Sequence, residues 1–256
     1  MFAYERRNEI KRILRDKQSI SVSELAGRFF VSESTIRRDL DMMSANGEIH
    51  RTYGGAILVD SLSVDMPITI RERENIDAKN SIARSAVNFI HSGATVILDT
   101  SSTVTAMVPL LGEFDALTVI TNSIKTAYML NACSKITTYC TGGRLRGFNM
   151  SLVGATAVER LSEINADIAF ISCRGMTPEK GITEASDEEA QVKRAMIEAA
   201  SRTVLLCDSS KHGLVMMNRI CQIGRLHAIV SDQNMSHEYI SAIESVGVKV
   251  VISSDA

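Results

Sequence analysis

The stretch SVSELAGRFFVSESTIRRDL, residues 21–40, decides the fold of the N-terminal part of the chain. Its apolar residues recur at helical spacing in two short runs, and each run begins at a serine that can cap a helix. The pattern predicts two helices joined by a tight turn at Val31. Such a helix-turn-helix places its second helix in the major groove of DNA in the proteins that use it.

The helix that follows Ser32 is predicted to present a polar outer face. Ile36, Leu40 and Met43 have the spacing of an inward-facing stripe. The outward-facing side chains are Ser34, Thr35, Arg37, Arg38 and Asp41. A pair of arginines on a helix usually forms a solvated surface, but in the first turns of this helix they are placed to contact base edges and phosphates.

Two flanking elements complete an N-terminal domain predicted to span residues 1–57. A first helix is predicted over residues 4–15 from its one-sided apolar spacing. Residues 48–56 have the pattern of a short hairpin, a wing, from which Arg51 and Tyr53 would reach the adjacent DNA backbone or minor groove.

The overall composition is that of an ordinary globular protein. The 256 residues exceed a typical single domain, and 45% of them are apolar, which is enough for a substantial core. Because the net charge is -2, any affinity for DNA has to come from local charge. Residues 1–56 hold ten Lys and Arg against eight Asp and Glu, a small excess of the right sign.

The cysteines and the apolar segments bear on the compartment. The five cysteines are scattered without a CxxC pair, so neither a disulfide framework nor a metal or cofactor site is predicted. No segment contains the roughly 18 consecutive apolar residues of a membrane span, and the N-terminus lacks a signal-peptide pattern. We therefore expect a cytoplasmic protein that does not bind a membrane.

Residues 58–75 lack periodicity and are predicted to be a linker, after which strand-like and helical segments alternate. The predicted strands are 94–99, 117–121, 136–141, 166–172, 203–208, 227–230 and 248–252. The predicted helices are 103–111, 123–131, 152–162, 187–201 and 236–245. This alternation predicts an α/β domain, residues 76–256, with a mostly parallel, doubly wound sheet.

Polar residues follow five of these strands at the edge where such sheets bind ligands. After the first strand, hydroxyls and the amides of a helix N-terminus would form a phosphate cradle. The candidate effector-binding residues are Asp99, Ser101, Ser102, Thr103, Asn122, Gly142, Gly143, Arg174, Gly175, Asp208 and Lys211. Helix capping is the alternative role for any one Asp, Ser or Thr. Five polar strand ends together favour a small anionic ligand such as a sugar phosphate.

The segment ELAGRFFVSESTIRRDLDMMSANGEIHRTYGGA, residues 24–56, resembles the N-terminal domain of DeoR-type bacterial transcription regulators. The hallmark of that domain is VSxxTIRRDL followed by a wing ending in HGGA, and Tyr53 stands where histidine is common. The resemblance implies that Ser34, Thr35, Arg37 and Arg38 read operator DNA. The predicted DNA-binding set is Ser32, Ser34, Thr35, Arg37, Arg38, Arg51 and Tyr53.

The motifs LDTSST, TNS, TGGR and CDSSKHG match, in order, those of the sensor domain of the same regulators. That domain is similar to ribose-5-phosphate isomerase, which implies a fold derived from sugar-phosphate enzymes. The stretch SCRGMTPEKGITEASDEEAQVK departs from the isomerase's DGADE-type acidic cluster. Glu188, Glu189 and Lys193 within it are predicted to form a solvated helix face, so no catalytic residue is predicted. Many members have a smaller or uncharged residue in place of Arg174, which suggests an extra anionic group on the ligand.

These features together predict a ligand-responsive transcription regulator, a repressor of a sugar or sugar-acid catabolic operon. Its expected partners are double-stranded operator DNA, a phosphorylated sugar or sugar-acid effector, and further copies of the chain in a dimer or tetramer. One alternative is an isomerase-like enzyme with an appended DNA-binding module, using Asp99 or Asp208 as base and Lys211 as clamp. Another, a dinucleotide-binding redox sensor, would need a GxGxxG motif that the first strand-helix turn lacks.

Overall fold

A computed structural model describes residues 2–17, 19–46, 48–52, 54–58 and 68–254 of the chain. The chain divides into two compact units, Met1–Glu74 and Asn75–Ala256. Each unit has its own hydrophobic core.

The N-terminal unit combines helices with a small antiparallel sheet. Its elements are α1 (Ala3–Lys17), β1 (Ser19–Ser21), α2 (Val22–Phe29), α3 (Glu33–Ala45), β2 (Ile49–Thr52), β3 (Gly55–Leu58) and α4 (Ile68–Arg71). Ile10 and Leu14 of α1, Leu25 of α2, and Ile36 and Leu40 of α3 are fully buried in one core. The predicted helix-turn-helix and hairpin are confirmed, and the shared core fixes which face of α3 is exposed.

The wing contains a third strand that the sequence did not predict. β1 pairs with β3 in the sheet order β1-β3-β2, with Ser19 opposite Ile57 and Ser21 opposite Gly55. A Cβ on Gly55 would lie 2.0 Å from the carbonyl oxygen of Ile20, so only glycine fits at this close approach. With three residues, β1 is too short to show the alternation that marks a strand.

The predicted linker, residues 58–75, includes parts of two secondary-structure elements. Leu58 is the last residue of β3, and α4 lies within the stretch. Residues 59–67 lie outside the described residues. Because α4 is a single turn, it is too short to produce a helical periodicity in the sequence.

The C-terminal unit is built around a seven-stranded sheet. Its helices are α5 (Ile76–Ala86), α6 (Ser102–Thr105), α7 (Ile124–Leu130), α8 (Ala155–Ser162), α9 (Asp187–Glu198) and α10 (His237–Glu244). Its strands are β4 (Thr95–Leu98), β5 (Leu117–Thr121), β6 (Ile136–Cys140), β7 (Arg144–Arg146), β8 (Ser151–Val153), β9 (Ile168–Ile171), β10 (Gly175–Thr177), β11 (Gly181–Glu184), β12 (Thr203–Leu206), β13 (Asn218–Cys221), β14 (Ala228–Ser231) and β15 (Lys249–Ile252). The main sheet has the order β15-β14-β12-β9-β4-β5-β6, and every neighbouring pair is parallel.

Helices cover both faces of this sheet, as predicted for a doubly wound α/β domain. Val96 and Leu98 of β4 belong to a core shared with α5, α6 and α7, whereas Ile97 belongs to the core shared with α8, α9 and α10. Burial on both faces explains why these strands are continuous apolar runs in the sequence.

Several details of this unit differ from the prediction. The predicted helix 152–162 begins only at Ala155, because β8 pairs with β7 as an antiparallel hairpin. The predicted helix 103–111 is replaced by α6 and a 3₁₀ turn over Val108–Glu113, where Pro109 removes a backbone donor. α5 and the small sheet β10-β11-β13 were not predicted, since the sheet lies in stretches interpreted as loops.

Candidate functional site

The first turn of α3 presents hydroxyl groups. The Oγ of Ser32 accepts the backbone N–H of Thr35 at 3.3 Å and therefore caps the helix. The same oxygen lies 2.8 Å from the Oγ of Ser34 and 2.9 Å from the Oγ1 of Thr35. The three hydroxyls form one local network, with Ser32 and Ser34 exposed and Thr35 half-buried.

Arg37 and Arg38 extend from the exposed face of α3, one turn beyond these hydroxyls. Arg37 forms an ion pair with Glu33, one helical turn earlier, at 3.0 Å. Among the residues that the structure describes, Arg38 makes no hydrogen bond or ion pair. Both cations therefore face solvent, and the partner of Arg37 is itself exposed.

The inner face of α3 carries a charged residue that sequence reasoning missed. Asp39 is buried and pairs with the buried Arg6 of α1 at 2.5 Å. Asp39 falls among the apolar positions Ile36, Leu40 and Met43, which is the signal that could have identified it as inward-facing. The pair fixes the position of α3 against α1.

Arg51 of the wing contacts α3. Its Nη1 donates to the carbonyl oxygen of Arg37 at 3.2 Å and lies 3.5 Å from Asp41. This side chain therefore links the wing to the exposed face of α3. Tyr53, the other predicted wing contact, lies outside the described residues.

The candidate effector residues of the C-terminal unit follow five strands that are consecutive neighbours in the sheet. These strands lie in the order β12-β9-β4-β5-β6, and because they are parallel their carboxyl ends share one edge. We call this edge the rim, defined by the segments 99–103, 121–123, 141–143, 172–175 and 208–211. The fold brings all the predicted effector residues to the rim.

Asp99 organises the centre of the rim. It is fully buried, and its two carboxylate oxygens accept the backbone N–H groups of Ser101 at 2.8 Å and Ser172 at 2.9 Å. Lys193 lies 3.5 Å from the same carboxylate. Asp99 thus connects the end of β4 to the end of β9.

In the loop after β4, some of the groups predicted to bind a phosphate are hydrogen-bonded to one another. The Oγ of Ser101 accepts the N–H of Val104, which is one of the amides at the start of α6. Ser102 and Thr103 are buried beside it. α6 is only four residues long, so its dipole is smaller than that of the helix predicted here.

The ends of β5 and β6 are shaped by one amide and two glycines. The Nδ2 of Asn122 donates to the carbonyl oxygen of Leu152 at 3.3 Å, and the carbonyl of Asn122 accepts the N–H of Leu152 at 2.7 Å. Gly142 and Gly143 have φ values of +72° and +109°. A Cβ on Gly143 would lie 2.6 Å from the carbonyl oxygen of Val153, so the turn requires glycine.

Asp208 and Lys211 form an ion pair of 3.0 Å after β12. Burial alone would raise the pKa of Asp208, but Lys211 and a hydrogen bond from Ser210 outweigh it and hold the pKa well below its usual range. Burial alone would lower the pKa of Lys211, yet the Asp208 carboxylate raises it. Asn75 also donates to Asp208, at 3.1 Å. Both groups are therefore charged at neutral pH.

Arg174 and Gly175 lie where β9 leads into the small antiparallel sheet. The N–H of Arg174 donates to the carbonyl oxygen of Thr183 at 3.0 Å. A Cβ on Gly175 would lie 2.4 Å from the carbonyl oxygen of Leu214, so close packing also requires glycine at this position.

The predicted solvated face at Glu189 and Lys193 is wrong, because both side chains are buried. Lys193 Nζ lies 2.6 Å from the Glu184 carboxylate, 2.8 Å from the carbonyl oxygen of Ser172 and 3.5 Å from Asp99. Burial alone would lower the pKa of Lys193, but the neighbouring carboxylates raise it above its usual value. Lys193 is a buried cation that joins β9 to β11.

Glu189 is held one helical turn earlier on α9. Its Oε1 accepts from Ser151 Oγ at 2.5 Å, from Arg146 at 3.0 Å and from Asn149 Nδ2 at 3.4 Å. Glu188, by contrast, is half-buried and pairs with Arg144 at the surface. The spacing of Glu189 with the buried Val192 and Met196 was the signal that it faces inward.

Two classes of feature are absent from the described part of the chain. Within it, no group of three or more His, Cys, Asp or Glu residues is arranged to hold a metal ion. The helices described are also too short or too polar to cross a membrane.

Comparison with known protein families assigns both units. Residues 6–62 match the DeoR-like helix-turn-helix domain, and residues 74–233 match the DeoR C terminal sensor domain. The chain belongs to the DeoR family. Its helix-turn-helix domain binds DNA, and its sensor domain responds to a small-molecule effector.

Individual relatives match this DeoR-family chain over nearly its full length. It is 33% identical to the uncharacterized HTH-type transcriptional regulator YulB of Bacillus subtilis, over 98% of this chain and 96% of that protein. It is also 33% identical to the HTH-type transcriptional repressor GlcR of Bacillus subtilis, over 99% and 97%. Ribose 5-phosphate isomerase A of Methanocaldococcus jannaschii overlaps 54% of this chain and 55% of its own, with 20% identity and a TM-score of 0.41. The relatives are named as regulators, so this DeoR-family chain is a transcriptional regulator and not an enzyme.

Proposed function

We propose that the chain represses a sugar or sugar-acid catabolic operon and that a phosphorylated intermediate of that pathway binds at the rim and modulates DNA binding. The observation that carries the proposal is the convergence of five neighbouring strand ends, with the Asp208–Lys211 pair among them. The ammonium group of Lys211 has three N–H donors, and those not bound to Asp208 can hold a phosphate by charge-assisted hydrogen bonds. The repressor name of GlcR, which matches over 99% of this chain, supports the direction of regulation.

The DNA-reading surface in this proposal is the outer face of α3. Ser32, Ser34 and Thr35 supply hydroxyls, and Arg37 and Arg38 supply charge, within two turns of its N-terminus. Arg51 and Tyr53 would add contacts from the wing. Residues 1–57 act as the DNA-binding domain, 76–256 as the effector-sensing domain, and 58–75 as the linker between them.

Regulation in this proposal requires a second arrangement of the protein. An effector shifts DNA affinity only if it binds the DNA-competent and DNA-incompetent arrangements with different affinity. Helix-turn-helix proteins commonly bind paired half-sites whose symmetry matches their own. We therefore propose that the chain acts as a homo-oligomer, a dimer or a tetramer.

The test is thermal denaturation of the full-length protein with a panel of sugar phosphates and sugar-acid phosphates, each beside its unphosphorylated partner. A ligand that binds only the folded protein raises the melting temperature by mass action. We expect a rise with a phosphorylated compound, and its loss in Lys211→Ala. The matched control is Lys135→Ala, which removes an exposed lysine paired with Asp115 elsewhere in the same unit.

The outcome that contradicts the proposal is equally concrete. If no phosphorylated compound shifts the melting temperature, the rim does not bind this class of ligand. If a compound shifts the wild-type protein and Lys211→Ala equally, its phosphate binds elsewhere.

A further inference from the structure

Polar atoms that are buried around the rim lack a hydrogen-bond partner among the residues that the structure describes. They are Thr103 Oγ1, Asn122 Oδ1, Ser172 Oγ and Glu189 Oε2. Leaving a buried polar group unpaired destabilises the folded protein, and leaving a buried charged group unpaired destabilises it more. Such groups call for an explanation, and a ligand that supplies the missing partner is one.

Glu189 is the most specific of these groups. Its three donors, Arg146, Asn149 and Ser151, all bind Oε1, and Oε2 is left as an acceptor. Oε1 also forms an ion pair with the Arg146 guanidinium at 3.0 Å. An ionised carboxylate only accepts hydrogen bonds, so its free oxygen selects a ligand group that donates.

The position of Asn122 places a second acceptor nearby. Asn122 exchanges two hydrogen bonds with Leu152, and the adjacent Ser151 donates to Glu189. The unpartnered oxygens of Asn122 and Glu189 therefore both lie next to the three-residue strand β8. Because Oε2 is shielded from solvent, a ligand reaches it only when part of the surrounding structure moves aside.

The charge of this region opposes an anion. Lys193 is already engaged by Glu184, by Asp99 and by the carbonyl of Ser172. The buried carboxylates of Asp99, Glu184 and Glu189 exceed the two cations paired with them, Lys193 and Arg146, by one negative charge. A ligand carboxylate would be repelled here, whereas a neutral hydroxyl would donate to the free oxygens.

We propose that the region around Glu189 Oε2 and Asn122 Oδ1, the inner rim, binds hydroxyl groups of the effector, which is therefore a neutral sugar phosphate or polyol phosphate and not a phosphorylated sugar acid. This inference rests on the proposed function, since it assigns the phosphate to the Lys211 end of the same site. The hydroxyls of Thr103 and Ser172 complete a set that both donates and accepts.

The test compares matched ligands by calorimetry on the full-length protein. Glucose 6-phosphate and sorbitol 6-phosphate are paired with 6-phosphogluconate, and ribose 5-phosphate with 5-phosphoribonate. We expect a neutral member to bind at least about tenfold more tightly than its acid partner, the size of one charge-assisted hydrogen bond. Glu189→Gln should reduce the affinity for the neutral ligand by a similar factor. It should also reduce the preference for the neutral ligand over its acid partner, because an amide can donate a hydrogen bond to the ligand carboxylate whereas the Glu189 carboxylate only accepts.

Two further variants keep the result interpretable. Glu188→Gln, on the neighbouring residue of α9, is the matched control and should leave both affinities unchanged. Asn122→Ala removes the other free acceptor and replaces Glu189→Gln if that variant does not fold, as judged by its melting curve without ligand. Asn122→Ala should weaken binding of the neutral ligand more than binding of its acid partner.

The inference and the proposed function fail in different ways. Binding of phosphorylated compounds with equal affinity for acid and neutral members, or with a preference unchanged in Glu189→Gln, overturns the inference and leaves the proposed function standing. The absence of binding by any phosphorylated compound overturns both.

Discussion

The outer face of α3 and the rim differ in how their charges are paired. Arg37 and Glu33 on α3 are 48% and 52% exposed, whereas Lys193, which contacts the rim residues Asp99 and Ser172, and its partner Glu184 are 7% and 5% exposed. An exposed ion pair is worth about 0–1 kcal/mol, so Arg37 can exchange Glu33 for a phosphate at little cost. A buried pair is broken only at high cost. Under the proposed function, the outer face of α3 can therefore adjust to DNA, whereas the buried pairs hold the rim in one geometry.

Removing the buried cation should have the largest effect. Lys193→Met leaves Asp99 and Glu184 buried without their partner, and we expect the unfolding free energy of the C-terminal unit to fall by about 3–5 kcal/mol. Denaturant unfolding followed in that unit measures it. The control Arg194→Met removes the next residue, which pairs with Asp187 at the surface, and should cost less than about 1 kcal/mol. If both variants lose the same unfolding free energy, the buried ion pair contributes no more to stability than the exposed one.

The buried Asp208–Lys211 pair should make the unfolding free energy depend on pH, whereas an exposed pair should not. The pKa of Asp208 is held below its unfolded value, so its stabilisation is present above about pH 4 and is lost as pH falls through the folded pKa. We expect Asp208→Asn to lower the unfolding free energy at pH 7 by about 3 kcal/mol. The difference from wild type should shrink as the pH is lowered from 5 to 3.

The control for this titration is Asp115→Asn. Asp115 also has a lowered pKa, owing to its hydrogen bond with Lys135, but it is fully exposed. We expect its pH profile to follow wild type. A profile for Asp208→Asn that stays parallel to wild type down to pH 3 would show that the pair contributes no pH-dependent stability.

On α3, Arg38→Ala should weaken binding to DNA selected from a random pool by the wild-type protein. We expect a loss of about 1–3 kcal/mol if the guanidinium contacts a base. Arg12→Ala, an exposed arginine of α1 paired with Glu9, is the control. The melting temperature of the variant should equal that of wild type, because the exposed Arg38 side chain makes no hydrogen bond or ion pair within the described residues. An unchanged DNA affinity would exclude Arg38 from the contact surface.

The smallest effect is expected for Arg51→Ala. The variant loses the hydrogen bond that links the wing to α3, worth about 0.5–1.5 kcal/mol. If Arg51 only positions the wing, affinity falls slightly and the salt dependence of DNA binding is unchanged. If it also contacts a phosphate, the slope of log K against log salt becomes smaller by about one.

The parts of the fold governed by local pattern could be predicted from the sequence. β5 was predicted at its observed residues, because its apolar run is bounded by turn residues. Ser32 was predicted as a helix cap, because capping depends on the neighbouring three residues. The polar residues of the rim were predicted because each group directly follows an apolar run. They were expected to lie together because the carboxyl ends of parallel strands share one edge of the sheet.

The buried charges could not be predicted in this way. Glu189 and Lys193 look like a solvated helix face until their partners are known, and those partners are distant in sequence: Arg146 and Ser151 for Glu189, and Asp99 for Lys193. The spacing of Glu189 with the buried Val192 and Met196 indicates that it faces inward, but only the tertiary fold supplies the partners that keep its charge buried. The three-residue strands β1, β7 and β8 were missed because each is shorter than the repeat that marks a strand.

The rim is divided among loops that are separate in sequence, while the strands that carry them form a shared core. Each loop is a few residues long and follows a different strand. If the rim binds the effector as proposed, substitutions in one or two loops would change the ligand without disturbing the sheet or the N-terminal domain.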